Sequence, residues 1–249
     1  MLRFLFLTLL FLTYQIAQAQ KIRVAVAANA QFVAQALKAA YEKETKTTVD
    51  FVFSSSGKLA TQIEQGAPFD VFLSADTFYP NTLYRKGFTQ GKPEVYAYGA
   101  LVIWTTRNLD LTKGLQLIKD PTVKKIAIPN PQLAPYGDAA RKAMQHYQLE
   151  PIAKPKLVFA ESIAQANQYI LSGVVDFGFT SKSVVLDPAI KGKGKYVSVN
   201  PTVYPPIAQS AVILKSARSR NLAQAQRFYK FLFSARAKLI FKQYGYSLN

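Results

Sequence analysis

The sequence predicts an α/β fold of two successive units, each a mostly parallel sheet flanked by helices, on three observations. Short apolar runs with the character of buried strands alternate with stretches whose apolar residues recur every three to four positions. The order is β-α-β-α-β-α over residues 21–86, and the pattern restarts after Gly99. Helix starts follow strand ends directly, as they do where a sheet is covered by helices.

Each element has its own signal. Lys21 to Val26 (KIRVAV) alternates and then turns wholly apolar, as a strand entering a core does. After Ala27-Ala28-Asn29-Ala30, the residues Phe32, Val33, Ala36, Leu37, Ala40 and Tyr41 recur at helical spacing, which places Asn29 in N-cap position. Thr48 to Phe53 is a second strand. Ser54-Ser55-Ser56-Gly57 then leads into a helix marked by Leu59 and Ile63 and ended by Gly66-Ala67-Pro68. Asp70 to Leu73 is a third strand, followed by Ser74-Ala75-Asp76 and a helix-like stretch to about Lys86.

In the second unit, Ala100 to Thr105, Lys125 to Ile128, Leu157 to Phe159 and Val175 to Phe179 read as strands. Asp138 to Tyr147 reads as a helix burying Ala139, Ala140, Ala143, Met144 and Tyr147, and Ser162 to Leu171 as a helix with Ile163, Ala166 and Ile170 on one face. Residues 105–124 and 181–206 are long for connections in such units. Ala208 to Leu214 is apolar again, and Leu222, Ala225, Tyr229 and Leu232 begin the last helices, which end near Tyr244. No internal repeat is visible in the sequence.

A chain of 249 residues, 49% hydrophobic and 13% aromatic, can build sizeable cores and is not disordered for most of its length. It begins with Arg3, an apolar run from Phe4 to about Leu12 and the small-x-small pattern Ala17-Gln18-Ala19, the signature of a secretory leader cut after Ala19. That run is shorter than the roughly 20 apolar residues of a bilayer span. With no cysteine there is no disulfide, thiolate metal site, cysteine nucleophile or lipid-bearing cysteine, so a freely diffusing protein of a Gram-negative periplasm is expected. The formal charge is +17, and loss of Arg3 lowers it by one. The cations are scattered rather than clustered on one helix. A basic solvated surface that attracts small anions fits them better than a nucleic-acid interface.

The stretch Ser54 to Lys58 admits four roles: nucleophile, phosphate cradle, oxyanion seat or plain cap. Ser55 and Lys58 match S-x-x-K, but the S-D-N and K-T-G elements that accompany it in serine acyltransferases do not occur. The only histidine, His146, lies in a helical pattern far from any serine-bearing strand end, and G-x-S-x-G is absent. Gly57-Lys58 lacks the rest of a Walker loop. An oxyanion seat needs only a helix N-terminus, whose unpaired N–H groups and positive dipole end bind anions without a cationic side chain. Taken singly, the junctions at Asn29 and at Ser55-Ser56 are ordinary caps. Side by side at the carboxyl edge of one sheet, where open α/β folds bind ligands, they favour an anion site.

The segments "KIRVAVAANAQF", "FSSSGKLATQIEQGAPFDVFLSAD" (53–76), "IPNPQLAPYGDAARKAM" (128–144), "ESIAQA" (161–166) and "YGYSLN" resemble the periplasmic molybdate-binding proteins of molybdenum-uptake ABC transporters, in order and over the whole chain after the leader. The resemblance implies a type II periplasmic binding protein with a ligand cleft between two lobes. After a signal peptide at 1–19, lobe 1 would take residues 20–99 and 206–249, and lobe 2 residues 100–205. The oxyanion would be held by Asn29 and Ser56 in lobe 1 and by backbone N–H groups at Tyr136 and Ile163 in lobe 2. At Ser181, where some members carry a tyrosine, a smaller hydroxyl contact or none is expected.

A fully ionised molybdate or tungstate presents acceptors only and matches a donor-only shell. Phosphate keeps a proton and asks for a carboxylate. Asp138 and Glu161 flank the second-lobe positions, where the helix dipole accounts for them. Sulfate lacks a proton and is excluded only by cavity size. The expectation is therefore a monomeric, unanchored solute-binding protein that delivers its oxyanion to the permease and ATPase of an ABC transporter. It would have no catalytic activity, no cofactor and no nucleic-acid partner, and would bind molybdenum only as the oxyanion. The alternatives are a binding protein for sulfate or another small anion, and a secreted serine hydrolase using Ser55 and Lys58.

Overall fold

The computed structural model describes residues 21–219 and 221–248; the leader and its cleavage after Ala19 lie outside them. In chain order the strands are β1 (Lys21–Ala27), β2 (Thr48–Ser54), β3 (Val71–Ser74), β4 (Glu94–Gly99), β5 (Leu101–Thr105), β6 (Ile126–Pro129), β7 (Leu157–Ala160), β8 (Phe177–Ser181), β9 (Lys195–Ser198) and β10 (Ile207–Ile213). The helices are α1 (Gln31–Thr45), α2 (Ser56–Glu64), α3 (Phe78–Arg85), α4 (Pro135–His146), α5 (Glu150–Ala153), α6 (Ile163–Leu171), α7 (Lys182–Val185), α8 (Leu222–Leu232) and α9 (Ala235–Gln243).

They form two five-stranded sheets, β2-β1-β3-β10-β4 and β7-β6-β8-β5-β9. In the first, β1 runs parallel to β2 and β3, while β10 is antiparallel to both β3 and β4. The second repeats this layout, with β6 parallel to β7 and β8, and β5 antiparallel to β8 and β9. Each sheet thus has one reversed strand, and that strand is the one the chain enters on crossing from the other sheet. The first crossover joins β4 to β5 through Ala100; the second leads from β9 to β10.

The repeat missing from the sequence is therefore present in the topology. A shared anchor marks it. Ahead of β3, Asp70 donates its N–H to the Arg23 carbonyl (2.7 Å) and accepts the Arg23 N–H on its carboxylate (2.7 Å). Ahead of β8, Asp176 donates its N–H to the Lys125 carbonyl (2.8 Å) and accepts from the Lys124 and Lys125 N–H groups (2.7 Å each).

Burial follows the apolar pattern. On one face of the first sheet, Leu37 and Tyr41 of α1 pack with Phe228 of α8 and Phe241 of α9; the Tyr41 ring meets Phe228 edge-on at 5.1 Å. On the other face Leu59, Phe72, Leu83 and Val212 come together. The second lobe is built around Trp104, Ile126, Met144, Phe177 and Phe179. Full burial of each such side chain is worth about 1.5–3 kcal/mol.

Several expectations need correction. α4 begins at Pro135, not Asp138, because proline suits the first helical position. Tyr147 lies beyond its end and is 39% exposed rather than buried. The long segments 105–124 and 181–206 are not bare loops: the first holds 3₁₀ turns over Leu111–Lys119, interrupted at Gly114, and the second holds α7 and β9. Strands β4 and β9 lie at sheet edges, and their mostly exposed ends hide the alternation that would mark them.

Candidate functional site

Four strand-to-helix junctions, two from each sheet, meet between the lobes. After β1 the chain makes a 3₁₀ turn over Ala28–Ala30 that runs directly into α1; after β2, Ser55 stands extended at the N-cap of α2 (φ −66°, ψ 150°). In the second lobe, Ala134 precedes the Pro135-Tyr136 start of α4, and Ser162 precedes Ile163 at the start of α6. Asn29, Ser55, Ser56, Ala134, Tyr136 and Ile163 are all buried and line one small, tightly closed cavity of about 10 Å³. The first N–H groups of these helical turns have no partner within their own helix.

The electrostatic character of the lining is set by what it omits: no Asp, Glu, Lys, Arg or His takes part. The carboxylates nearest in sequence are drawn elsewhere: Asp76, next to Ala75, accepts from the Ser74 hydroxyl (2.9 Å) and the Tyr79 N–H (3.2 Å). Asp138 bonds Arg141 (2.8 Å) and Lys142 (2.7 Å), and Glu161 pairs with Lys58. Polarity comes instead from hydroxyls, amides and helix ends. The Ser56 hydroxyl accepts the Ala75 N–H (3.1 Å), which leaves its own hydrogen to donate. The Ser55 hydroxyl, 3% exposed, has no hydrogen-bond partner among the described residues and caps nothing. An unsatisfied buried polar group costs about 1–3 kcal/mol, so an acceptor placed in this cavity would relieve it.

Asn29 does not occupy the N-cap; Ala30 does, without a side-chain cap bond. Its amide is drawn away from the helix, with Nδ2 donating to Gln209 Oε1 (2.8 Å) and the Tyr246 hydroxyl (3.1 Å). Both amide hydrogens are thereby engaged, and what Asn29 turns to the cavity is the start of its helical turn. Its carbonyl accepts from the Ser183 hydroxyl (2.7 Å) and, more weakly, from Ser181 (3.4 Å). Ser181 therefore stands behind Asn29, bonded to Ser183 (2.9 Å), and is not among the residues lining the cavity.

Sequence reasoning missed Gln209 and Tyr246. Gln209 is fully buried on β10 and also donates to the carbonyls of Ala75 (3.3 Å) and Ile207 (3.1 Å), tying the turns after β1 and β3 together. A glutamine inside the apolar run 207–213 was the only available signal. Tyr246 comes from the chain's end, and burial pushes its phenol up to about 12; burial also raises Tyr136 well above the ordinary value. Both stay neutral near pH 7. The Tyr136 hydroxyl faces the Asn29 side chain without a well-formed bond and packs so closely on Gly99 that a Cβ there would lie 1.9 Å from it.

Other candidates do not assemble. Lys58 is paired with Glu161, and no hydrogen bond joins it to Ser55. His146 is exposed at the far end of α4, its ring against Tyr147 (4.9 Å), about 15 Å along the helix from the cavity. Among the described residues no group of three or more His, Cys, Asp or Glu side chains could hold a metal ion, and no helix is long and apolar enough to cross a membrane.

Three comparisons bear on this site. The family model described as bacterial extracellular solute-binding protein matches residues 22–247. The molybdate-binding protein ModA of Azotobacter vinelandii is 36% identical over 234 residues, 94% of this chain and 92% of that protein. That of Rhodobacter capsulatus is 37% identical over 232 residues, 92% of this chain and 89% of that protein. The solved structure of the Azotobacter vinelandii periplasmic molybdate-binding protein matches with a TM-score of 0.85 at 33% identity, covering 92% of this chain and 99% of that one.

Proposed function

Because the chain belongs to the bacterial extracellular solute-binding protein family, we propose that it captures molybdate or tungstate in the periplasm and delivers the oxyanion to an ABC transporter. The observation that carries this is the cavity itself: buried, between two lobes, ringed by four helical N-termini, with serine hydroxyls in its lining and no charged side chain. A dianion of metal and oxygen offers acceptors alone, so each of its contacts can be a donated hydrogen bond. Each helix N-terminus adds about 0.3–1 kcal/mol of attraction, and up to about 2 kcal/mol where it is partly buried.

The ligand shell assigned here is the turn at Asn29, the hydroxyl of Ser56 together with that of Ser55, and the N–H groups at Tyr136 and Ile163. Ser181 supports Asn29 rather than touching the anion. Lobe 1 comprises residues 20–99 and 206–249, and lobe 2 residues 100–205. The protein acts as a monomer without a membrane anchor, and its partners are the permease and ATPase subunits.

Isothermal titration of the protein without its leader, with molybdate, tungstate, sulfate and phosphate in turn, tests the proposal. Tight binding of the first two with phosphate silent is expected, and the response to sulfate measures how far cavity size discriminates. No heat from molybdate or tungstate would overturn it.

A further inference from the structure

We propose that Lys58 and Glu161 form an ionic clasp across the cleft that holds the lobes closed over the anion, an inference that rests on the proposed binding role. Lys58 lies in the first turn of α2, two residues after Ser56; Glu161 lies two residues before Ile163 at the start of α6. Their ion pair thus joins the first turn of α2 to the residue just before the N-cap of α6, two helices of opposite lobes that both begin at the cavity.

The position of Lys58 calls for a reason, because a cation in the first turn of a helix opposes the macrodipole. Glu161 supplies one. A carboxylate this close to an oxyanion site would repel its ligand, and Lys58 cancels that charge while linking the lobes. Exposed ion pairs usually contribute little, because two long side chains must be ordered and solvent screens them. Here both backbones are already pinned. The Glu161 N–H donates to Gln165 Oε1 (2.7 Å) beside the Ser162 cap on the Gln165 N–H (3.3 Å). Next to Lys58, the Gly57 N–H donates across the cleft to the Leu133 carbonyl (2.9 Å). The side chains remain 41% and 51% exposed, so the clasp can open when the lobes part.

The sign of one substitution separates a clasp from a mere neighbouring charge. Were Glu161 only a negative charge near the anion, Glu161→Gln would tighten binding. As a clasp, Glu161→Gln weakens molybdate binding about two- to fivefold. Lys58→Met weakens it more, up to about tenfold, because Glu161 is then left uncompensated. The double variant loses less than the two single losses combined. Hydrogen exchange at the Gly57 amide gives a readout independent of the anion: it is faster in Glu161→Gln than in the native protein.

Equal or tighter molybdate binding by Glu161→Gln, or unchanged exchange at Gly57, overturns the clasp. A native protein that gives no heat with molybdate overturns the binding role instead, and the exchange comparison still decides the clasp.

Discussion

Gly57→Ala adds one methyl group at the point where the lobes touch. A Cβ on Gly57 would lie 2.7 Å from the Tyr79 hydroxyl oxygen, 3.0 Å from Tyr79 Cζ and 3.1 Å from Leu133 Cα. Comfortable carbon–carbon separations are about 3.5–4.0 Å, so the lobes must part by roughly half an ångström and the Tyr79 ring must swing aside. Two cleft-crossing hydrogen bonds oppose this, Gly57 N–H to the Leu133 carbonyl (2.9 Å) and the Tyr79 hydroxyl to the Gln132 carbonyl (2.8 Å). At about 0.5–1.5 kcal/mol each, their loss removes about 1–3 kcal/mol from closure. Since about 1.4 kcal/mol is tenfold in affinity, molybdate binding should weaken roughly 5- to 150-fold. The ligand-free protein should not suffer equally, because alanine is the better helix former by roughly 0.5–1 kcal/mol, the Leu133 contact exists only between closed lobes, and the Tyr79 ring, once parted from the Gln132 carbonyl, can swing aside. Titration with molybdate, alongside thermal melting with and without it, measures both effects. Affinity within twofold of native would refute the reasoning, since the closed packing at Gly57 would then not be the bound state.

Further expectations concern the site and its supports. Ser56→Ala should weaken molybdate binding by about 1–3 kcal/mol, the range for a hydrogen bond to a charged group, as read by the same titration. Gln209→Leu orphans the carbonyls of Ala75 and Ile207 and one amide hydrogen of Asn29, so urea unfolding should show a stability loss of about 1–3 kcal/mol. Burial raises the Asp76 carboxyl to about 6, against the bonds it accepts from the Tyr79 N–H and the Ser74 hydroxyl. The folded protein therefore holds that proton more tightly than the unfolded chain, and stability falls as pH rises from about 4 to 6, by about 2–3 kcal/mol in all. Asp76→Asn keeps the accepting oxygen without the charge, and urea unfolding across that range should lack this part of the slope; an undiminished slope would sink the assignment.

Much of this fold was legible because its signals are local. The alternation in KIRVAV, the spacing of Val33, Leu37 and Tyr41, and the Ser162 cap each rest on contacts within a few residues or on one buried face. The junctions that build the candidate site were legible for the same reason: serines and small residues where a strand turns into a helix mark backbone N–H groups left without a partner in their own helix. What failed was the direction of individual side chains. Asn29 resembled a cap, yet Gln209 and Tyr246, more than 170 residues away in the chain, pull its amide out of the helix. Ser181 stood where a ligand contact was open, yet Ser183 and the Asn29 carbonyl claim its hydroxyl.

The sequence by itself determined most of the segments that become strands and helices and where helix N-termini are left bare, because hydrophobic periodicity and capping chemistry act over one or two turns. Only the tertiary structure decided that four such ends face one cavity, that the reversed strand of each sheet is the one the crossover feeds, and that Gly57 and Lys58 meet the other lobe. Those outcomes depend on which distant surfaces come within hydrogen-bonding reach, and chain order does not specify that distance until the two sheets have packed.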